Sequence, residues 1–453
     1  MNSRTERQTL CAILLPFGTI FSMTFSHRRP LWQTIVFLTL IYNLTFACAP
    51  FSVPKPAAAA SILLSPTPFQ PQAGAPDSPF AAPLSAQPEP TFTPYPAPLI
   101  PPSFMPTPAQ VLPSSGSQGL SLLPTLNNPL TGLPASDPAL LNRRPMAIKI
   151  SNSPDFVRPQ SGLTLADVVY EYYIEWGDTR FIAIFYGNDA KMAGPVRSGR
   201  YFDEHVTRMY HAYYVFKGAD PREFSYFKQT DLANFLVDLM WLEFPCSPYE
   251  VGKGSAEVYH RIFFNTLKFT ECLQRKGLDN SRQAVRSSFY SEEAPAEALA
   301  ANRIYTQYSV YSYNYWEYDP ATHKYFRYQE TNDLVKQRPP AYAPLTGAMT
   351  GKPVTADNVV VLFVRHIFAN SFDQEDEVYH IELIDSGEAF VFRDGRAIPA
   401  RWYRTDIDQP LLIATSSGTP VYLRPGVTFY QVIGESSAYS QNEMDWQFRF
   451  LTP

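Results

Sequence analysis

The sequence predicts an α+β protein: a mixed α/β N-terminal module, then a β-rich C-terminal module, both after a disordered proline-rich linker. Three observations support this fold class. Nineteen of the 43 prolines lie between residues 49 and 113. From about residue 125, segments with helical and strand periods alternate. After residue 304, short strand-like segments alternate with turn signals. The predicted division is 1–48 leader, 49–124 linker, 125–303 N-terminal module and 304–453 C-terminal module.

The composition excludes several classes of protein. The 453 residues carry 37 basic and 42 acidic side chains, a formal net charge of -5. Nucleic-acid-binding domains are usually strongly basic, so we expect no nucleic-acid partner. Aromatic residues make up 15% of the chain, which is more than a wholly disordered chain carries. A folded part of substantial size is therefore expected.

The first 48 residues have the order of a secretory signal. The basic residues His27–Arg29 precede an apolar run over residues 35–47, as in signal peptides. A membrane-spanning helix needs about 20 apolar residues, so a cleaved signal is favoured and a retained anchor is the alternative. Cys48 follows Ala47 directly, in the manner of bacterial lipoprotein cleavage sites. We therefore predict lipidation of Cys48, which would bind the lipid bilayer on the extracytoplasmic face of the cell membrane. An ordinary cleaved signal with an unmodified cysteine is the alternative.

Residues 49–124 are predicted to form the disordered linker. Proline lacks the backbone N–H donor that helices and sheets use. Lys55, Asp77 and Glu89 are the only charged residues between positions 49 and 113. Such a segment is expected to behave as a semi-rigid spacer, about 3.1 Å long per residue where it is extended. It would hold the folded part away from the lipid anchor.

Two cysteines, Cys246 and Cys272, remain after the leader is removed. A disulfide between them would stabilise the fold by about 3 kcal/mol through loop entropy. Two buried free thiols are the alternative. The chain has no CxxC pair and no histidine spacing typical of a metal site, and the acidic run Asp373–Glu377 lacks the pattern of a calcium loop. We therefore predict no metal ion and no cofactor.

Strand patterns open the N-terminal module. Met146–Ile150 is a short predicted strand, and residues 166–176 alternate between two faces, which predicts a half-buried strand. Gly177–Asp178 is a turn signal before a further strand over residues 180–186. A two-residue turn there would place Glu175 opposite Arg180 as a cross-strand ion pair.

Residues 194–200, Gly-Pro-Val-Arg-Ser-Gly-Arg, are the segment most typical of a binding site. They follow a strand and precede a predicted helix that begins near Phe202. Free N–H groups at a helix start, together with Arg197, Ser198 and Arg200, are suited to bind an anion. The glycine and lysine pattern of a phosphate-binding loop is missing. A structural loop whose arginines pair with nearby acids such as Asp203 is the alternative.

The rest of the N-terminal module is predicted to mix one strand with helices. Residues 211–217 have a strand pattern, and Asp220–Glu223 has the residues of a helix start. Helix-like segments cover residues 231–241 and 257–273. This mixture supports the α/β character of the module.

The C-terminal module is predicted to be built from short strands. Residues 305–328 contain two aromatic strands joined by a turn at 319–324, with Tyr311, Tyr313 and Tyr315 at alternate positions. Exposed tyrosine rows can stack on sugar rings, but they more often form the packed face of a sheet. Further strands are predicted over residues 358–367, 378–384, 388–392, 400–404, 419–423 and 428–433.

An ordered series of motifs runs through the folded part. The motifs are Asn128–Pro134, Asn142–Pro145, Arg158–Leu163, Ala166–Glu171, Thr179–Phe181, Gly194–Ser198, Asn358–Val361, Phe392–Gly395 and Leu423–Gly426. The series resembles the YerB-like family of bacterial lipoproteins, a two-module domain family of unknown function. The resemblance implies a membrane-anchored extracytoplasmic protein and no particular reaction. It also implies that the motif residues Arg158, Glu171, Arg180, Arg197 and Ser198 lie near one site or one structural junction.

The predicted function is a binding or envelope-assembly role for a lipoprotein whose ligand is unknown. The predicted ligand-binding residues are Arg158, Glu171, Arg180, Arg197, Ser198 and Arg200. Their partner would be a cell-wall or other anionic ligand, or an envelope protein. The alternative is a cell-wall-acting enzyme, a peptidoglycan hydrolase or transglycosylase, with Glu171 or Glu175 as the acid. Those two carboxylates cannot form a catalytic pair with each other, because four residues along a strand span about 13 Å and catalytic pairs lie at most about 9.5 Å apart.

Overall fold

The computed structural model describes residues 127–285, 288–296, 298–369 and 377–452. The predicted leader, Cys48 and the predicted linker lie outside these ranges, as does the acidic run at 373–377 except for Glu377. Within the described ranges, every helix is too short or too polar to cross a membrane.

The first part of the described chain contains strands, three α-helices and short 3-10 helices. The strands are β1 (Met146–Ser151), β2 (Val168–Tyr173), β3 (Thr179–Phe185), β4 (Tyr213–Val215), β5 (Leu236–Val237), β6 (Tyr249–Val251), β7 (Ile262–Phe264), β8 (Phe289–Tyr290) and β9 (Leu299–Ala300). The α-helices are α1 (Phe202–Met209), α2 (Pro221–Gln229) and α3 (Thr266–Lys276). The 3-10 helices are Pro138–Asn142, Asp155–Val157, Leu163–Leu165, Asp231–Phe235, Leu239–Glu243 and Val258–His260.

The second part consists of strands and one 3-10 helix, Val335–Gln337. The strands are β10 (Arg303–Gln307), β11 (Tyr313–Asp319), β12 (Lys324–Glu330), β13 (Tyr342–Pro344), β14 (Thr355–Ala356), β15 (Asn358–Phe368), β16 (Tyr379–Glu382), β17 (Asp385–Arg393), β18 (Arg396–Arg404), β19 (Leu412–Ala414), β20 (Tyr422–Leu423), β21 (Thr428–Gly434), β22 (Ala438–Asn442) and β23 (Asp445–Arg449). Strands thus outweigh helices, and the fold is α+β with most of its regular structure in sheets.

A 12-stranded sheet forms the centre of the fold, with the order β19-β18-β17-β15-β21-β2-β3-β1-β4-β5, and with β16 and β9 pairing beside β15 and β18. β21 comes from the C-terminal part of the chain. It pairs in parallel with β15 on one side and with β2 on the other. The sheet therefore crosses the predicted module boundary at 303/304, and both predicted modules contribute strands to one sheet.

A seven-stranded sheet packs against one face of the central sheet. Its order is β13-β12-β11-β10-β23-β22, with β14 beside β12. Trp316 of β11 contacts Phe429 of β21, with ring centroids 4.8 Å apart, and Trp446 of β23 contacts Phe390 of β17 at 5.2 Å. Both tryptophans are buried. The inner face of the aromatic strands therefore belongs to the core.

β2 is buried along its whole length, so the prediction of a half-buried strand was wrong. β2 lies between β21 and β3, and both of its faces are covered. Tyr172 packs against Phe202 of α1, with ring centroids 4.6 Å apart. Glu171 points to the other face, because neighbouring side chains alternate along a strand. The polar residues that suggested a solvent-facing side are covered by polar residues of the seven-stranded sheet.

The β2–β3 hairpin has a longer loop than the predicted two-residue turn. Arg180 lies opposite Tyr172 in the strand register, so Glu175 lies in the loop and not opposite Arg180. The loop reverses through positive φ angles at Trp176 (55°) and Gly177 (86°). The two charged side chains still approach each other, with 3.9 Å between the closest nitrogen and oxygen.

The predictions of helices over residues 231–241 and 257–273 were wrong in part. The first segment forms two 3-10 helices with β5 between them. In the second segment, the α-helix α3 begins only at Thr266. β5 pairs in parallel with β4, so strand pairing overrides the local helical preference. The Asn265 side chain caps α3, and Gly277 ends it with a φ of 64°.

Cys246 and Cys272 form a disulfide across a separation of 26 residues. Cys272 lies on α3 and is fully buried. The bridge therefore fixes α3 to the segment that follows the 3-10 helix Leu239–Glu243.

Candidate functional site

The residues that the sequence singles out lie on two faces of the central sheet and do not converge on one cleft. Glu171 of β2 points toward the seven-stranded sheet, and Arg158 joins the same network of polar groups. Arg180 of β3 points to the opposite face, as does Tyr172 beside it in the register. Arg200 reaches that second face through the loop before α1.

Glu171 forms a fully buried ion pair with Arg327 of β12. Its Oε2 lies 2.9 Å from Nη1 of the guanidinium, and its Oε1 accepts a hydrogen bond from Nη2 at 3.0 Å. The Thr179 hydroxyl donates to the same Oε1 at 3.0 Å. A carboxylate held this way has no access to a substrate, so the prediction of Glu171 as a general acid is contradicted.

Arg158 joins the loop after β1 to the seven-stranded sheet. Its Nε donates to the Asn152 carbonyl oxygen at 2.9 Å, and its Nη1 donates to the Glu330 carbonyl oxygen at 2.8 Å. The guanidinium also pairs with the Glu330 carboxylate. The Asn152 amide donates to the Thr179 hydroxyl at 2.8 Å, so Arg158 and Glu171 belong to one network between the sheets. This network is a structural junction.

On the opposite face, Arg180 and Arg200 converge on Glu175. The Arg200 Nε donates to Glu175 Oε2 at 2.7 Å, and its Nη1 lies 3.7 Å from Glu223 Oε2. Burial alone would raise the pKa of Glu175, but the hydrogen bond and charge of Arg200 lower it below its usual value. Glu175 is therefore ionised at neutral pH and cannot serve as the general acid of a hydrolase.

The charged groups of this cluster perturb one another. Burial, together with repulsion from Arg200 and Arg197, lowers the pKa of Arg180 to about 9 against the attraction of Glu175. Burial raises the pKa of Glu223 to about 7. This shift reduces the negative charge that Glu223 offers to Arg200 near neutral pH.

The start of α1 is satisfied by its own residues. The Asp203 carboxylate accepts a hydrogen bond from the backbone N–H of Arg200 at 2.8 Å. The hydroxyls of Tyr172 and Tyr214 each donate to Asp203 at 2.6 Å, and the fully buried Lys149 pairs with it at 2.9 Å. The predicted anion site at a free helix start is therefore not formed by the backbone of α1.

Arg197 lies at the solvent side of the arginine cluster. Its Nη1 is 3.2 Å from Nδ1 of His260, and its guanidinium lies over the Tyr259 ring at 5.8 Å. Lys217 Nζ lies 4.7 Å from the centre of the same ring. Phe156 packs edge-on against His260 at 4.8 Å. These five residues are called the Arg197 surface below.

The Arg197 surface combines exposed aromatic rings with crowded cations. Phe156 is 59% exposed and Tyr259 is 41% exposed. Burial lowers the pKa of Lys217, and the charge of Arg197 lowers it further. Burial and Arg197 also lower the pKa of His260, so this imidazole is neutral at pH 7. Burial lowers the pKa of Arg197 as well, although Asp178 and Glu175 favour its charged form.

The structure divides the predicted ligand-binding residues into groups with different surroundings. Ser198 contributes its carbonyl oxygen, which accepts from Arg180 Nη1 at 2.9 Å. Arg180 and Arg200 are largely enclosed in ion pairs, whereas Arg197 remains at the surface. In the described part of the chain, no group of three or more His, Cys, Asp or Glu residues is arranged to hold a metal ion.

Sequence reasoning did not single out the partners of Arg197. Phe156 and Tyr259 come from two short 3-10 helices and Lys217 from the segment after β4, and no local pattern marks them. His260 was considered only as a metal ligand, for which it has no suitable spacing. Only the fold shows that these residues meet around one arginine.

Comparison with known proteins identifies relatives across the described chain. Residues 130–278 match the domain described as "Protein of unknown function (DUF3048) N-terminal domain", and residues 304–430 match the corresponding C-terminal domain. A Bacillus subtilis (strain 168) protein named "Putative lipoprotein YerB" is 26% identical over 318 residues, which are 70% of this chain and 88% of that protein. The crystal structure of YerB protein from Bacillus subtilis is similar with a TM-score of 0.56 and 23% identity, over 68% of this chain and 96% of that one. At this identity the structural similarity supports the fold alone.

Proposed function

The chain belongs to the DUF3048 family, which confirms the resemblance to YerB-like proteins, and from this premise we propose that it is a lipid-anchored envelope protein that binds an anionic ligand at the Arg197 surface. The anchor would be Cys48, and the proline-rich segment after it would serve as the spacer. The relative named as a lipoprotein supports the anchor.

The observation that carries the binding proposal is the crowding of cations around Arg197. Arg180 and Arg200 share the Glu175 carboxylate, and Lys217 lies over the Tyr259 ring beside Arg197. Like charges held this close repel one another. A bound anion would relieve that repulsion, and the half-buried Arg197 guanidinium, whose Nε has no hydrogen-bond partner among the described residues, is well suited to a carboxylate or phosphate group.

The aromatic rings beside Arg197 fit a ligand that also has an apolar or ring-shaped part. Tyr259 lies beneath the guanidinium, Phe156 packs against His260 next to it, and both rings remain substantially exposed. Aromatic side chains supply large contact areas at binding sites. Wall polymers that carry phosphates or carboxylates on a carbohydrate or polyol backbone have both features. Binding is favoured over wall hydrolysis because the two predicted catalytic acids are both held in ion pairs.

The binding proposal can be tested with purified full-length protein in detergent and poly(glycerol phosphate) as the probe. We expect saturable binding that weakens at least about tenfold when Arg197 and Lys217 are both changed to Ala, because two charge-assisted contacts are lost. Lys191→Ala is the matched control, since Lys191 is an exposed lysine of the same part of the chain. Equal binding by the double variant and the control would contradict the proposal.

The anchor can be tested separately in cells. Labelling with an alkyne analogue of palmitate should mark the wild-type protein and should not mark a Cys48→Ala variant. The variant should also leave the membrane fraction, or accumulate as an unprocessed precursor. Equal labelling of both proteins would show that Cys48 is not the lipidated residue.

A further inference from the structure

The outer face of the seven-stranded sheet carries a groove that the Arg197 surface does not include. The groove has a volume of about 680 Å³. β10 forms its floor, and Leu334, Pro340 and Tyr342 line one wall. The β22–β23 hairpin forms the other wall through Ser440, Gln447, Arg449 and their neighbours. Its volume falls within the range of about 300–1,000 Å³ that is usual for small-molecule sites.

Tyrosine rings dominate one side of this groove. Tyr305 and Tyr315 are paired across β10 and β11, and Tyr342 meets Tyr315 edge-on, with ring centroids 4.8 Å apart. Tyr328 stacks on Tyr315 at 4.5 Å. All four rings are half-buried. They lie on the outer face of the sheet, which keeps contact with solvent, whereas their neighbours along the strands point into the core.

Several polar side chains of the groove have no partner within the described part of the chain. They are the Tyr305 and Tyr342 hydroxyls, the Gln307 and Gln447 amides and the Arg449 guanidinium. Thr306 and Asn314, which also line the groove, are hydrogen-bonded to Gln431. By contrast, Tyr313 at the edge of the groove donates to the Asn332 carbonyl oxygen at 3.0 Å. Planar amides, hydroxyls and a guanidinium provide both donors and acceptors.

The charge of the groove narrows the class of ligand. Arg449 is the only charged residue among those that line it. A polyanion such as a nucleic acid requires many basic contacts, and the groove has one. A peptide bound by strand addition needs an unpaired strand edge, but β10 on the floor pairs with β11 and β23 on its two sides. An uncharged or weakly acidic ligand rich in hydroxyl groups fits both restrictions.

We propose that this groove binds a linear oligosaccharide. The rings of Tyr305 and Tyr342 contact the apolar C–H faces of the sugars, and Gln307, Gln447 and Arg449 hydrogen-bond to their hydroxyl groups. The groove shares no residue with the Arg197 surface. The failure of one proposal therefore leaves the other unaffected.

The proposal is tested by calorimetric titration of the full-length protein in detergent with chitohexaose and with cellohexaose. We expect saturable binding of at least one of them. Changing Gln447 and Arg449 together to Ala should weaken it about tenfold, as expected for two lost hydrogen bonds. Gln441→Ala is the matched control, because Gln441 is an exposed glutamine of the same hairpin whose side chain lies on the other face of the sheet.

A second variant separates hydrogen bonding from packing. Changing Tyr305 and Tyr342 together to Phe keeps both rings and removes two hydroxyls, so we expect weaker binding with an unchanged melting temperature. Absence of saturable binding to both oligosaccharides would overturn the proposal. Undiminished binding by the Gln447/Arg449 variant, or binding of a proline-rich peptide in place of the sugars, would also overturn it.

Discussion

Loss of the Glu171 charge should strongly destabilise the protein. Glu171 and Arg327 are both fully buried, with 2.9 Å between the closest oxygen and nitrogen. Glu171→Gln keeps the shape of the side chain but removes the negative charge. The Arg327 guanidinium then stays buried without its ionic partner, and only neutral acceptors remain, the Gln329 side chain and the one amide oxygen that the substitution leaves at position 171.

The expected loss of unfolding free energy is about 3–5 kcal/mol, the usual cost of removing one partner of a buried ion pair. Two contacts to the carboxylate account for it, since each charge-assisted hydrogen bond contributes about 1.5–3 kcal/mol. Replacing both residues, as Glu171→Leu with Arg327→Met, removes the unpaired charge. The double variant should therefore be destabilised by less than the sum of the losses in the single variants Glu171→Leu and Arg327→Met.

Urea unfolding followed by circular dichroism measures these differences directly. The four proteins of the cycle give a coupling energy between the two side chains, which we expect to exceed about 2 kcal/mol for groups in direct contact. Thr131→Ala is a suitable reference, because this residue lies far from Glu171 in the sequence and outside the network described above. A Glu171→Gln variant that loses less than about 1 kcal/mol would refute the reasoning, because the buried guanidinium would then tolerate the loss of its partner.

Three further changes have defined outcomes. Burial lowers the pKa of His366 to about 4, whereas histidine in an unfolded chain is protonated below about pH 6.5. The free energy of unfolding should therefore fall as the pH is lowered from 6.5 to 4. His366→Leu should reduce this slope by up to about 1.4 kcal/mol per pH unit. Equal slopes in urea titrations of both proteins would contradict this. Cys246→Ser with Cys272→Ser should lower the free energy of unfolding by about 3 kcal/mol, and alkylation mass spectrometry should find no free thiol at Cys246 or Cys272 in the oxidised wild type. Arg200→Ala should destabilise the folded protein by roughly 3 kcal/mol, because Glu175 loses its main partner. Arg197→Ala should change the free energy of unfolding by less than about 1 kcal/mol. Similar melting temperatures for the two variants would argue against separate roles for the two arginines.

The sequence predicts the strands of this fold better than their surroundings. The alternation over 166–176 correctly indicates a strand, because period two is a local property of the backbone. The polar side chains of β2 suggested contact with water, but the residues that cover them lie more than 130 positions away, as Asn314 and Arg327 show. Burial of this kind depends on long-range pairing that periodicity does not contain.

The same reasoning applies to the candidate site. The motif at 194–200 predicted an anion site that included Arg197. This arginine contacts His260 and the exposed Tyr259 ring. The motif alone could not separate it from Arg200, because the acids that enclose Arg200 come from the β2–β3 loop and from α2. For the tyrosine row around β11, the sequence leaves a sugar platform and a packed sheet face open. Trp316 of this strand is buried in the core and Tyr315 is half-buried on the other face, and sugar binding at that face stays a proposal.

The position of β21 explains why the two family domains occur together in this chain. β21 fills the space between β2 and β15, so its parallel pairing on both sides joins strands from the two halves. Gln431 on β21 donates to Asn314 at 2.8 Å, which links the strand to the network around Glu171. Without β21, β2 would present an unpaired edge and a buried carboxylate with fewer hydrogen-bond donors. Pairing of the sheet and satisfaction of the buried charge thus depend on the same strand, and we infer that the two halves fold as one cooperative unit.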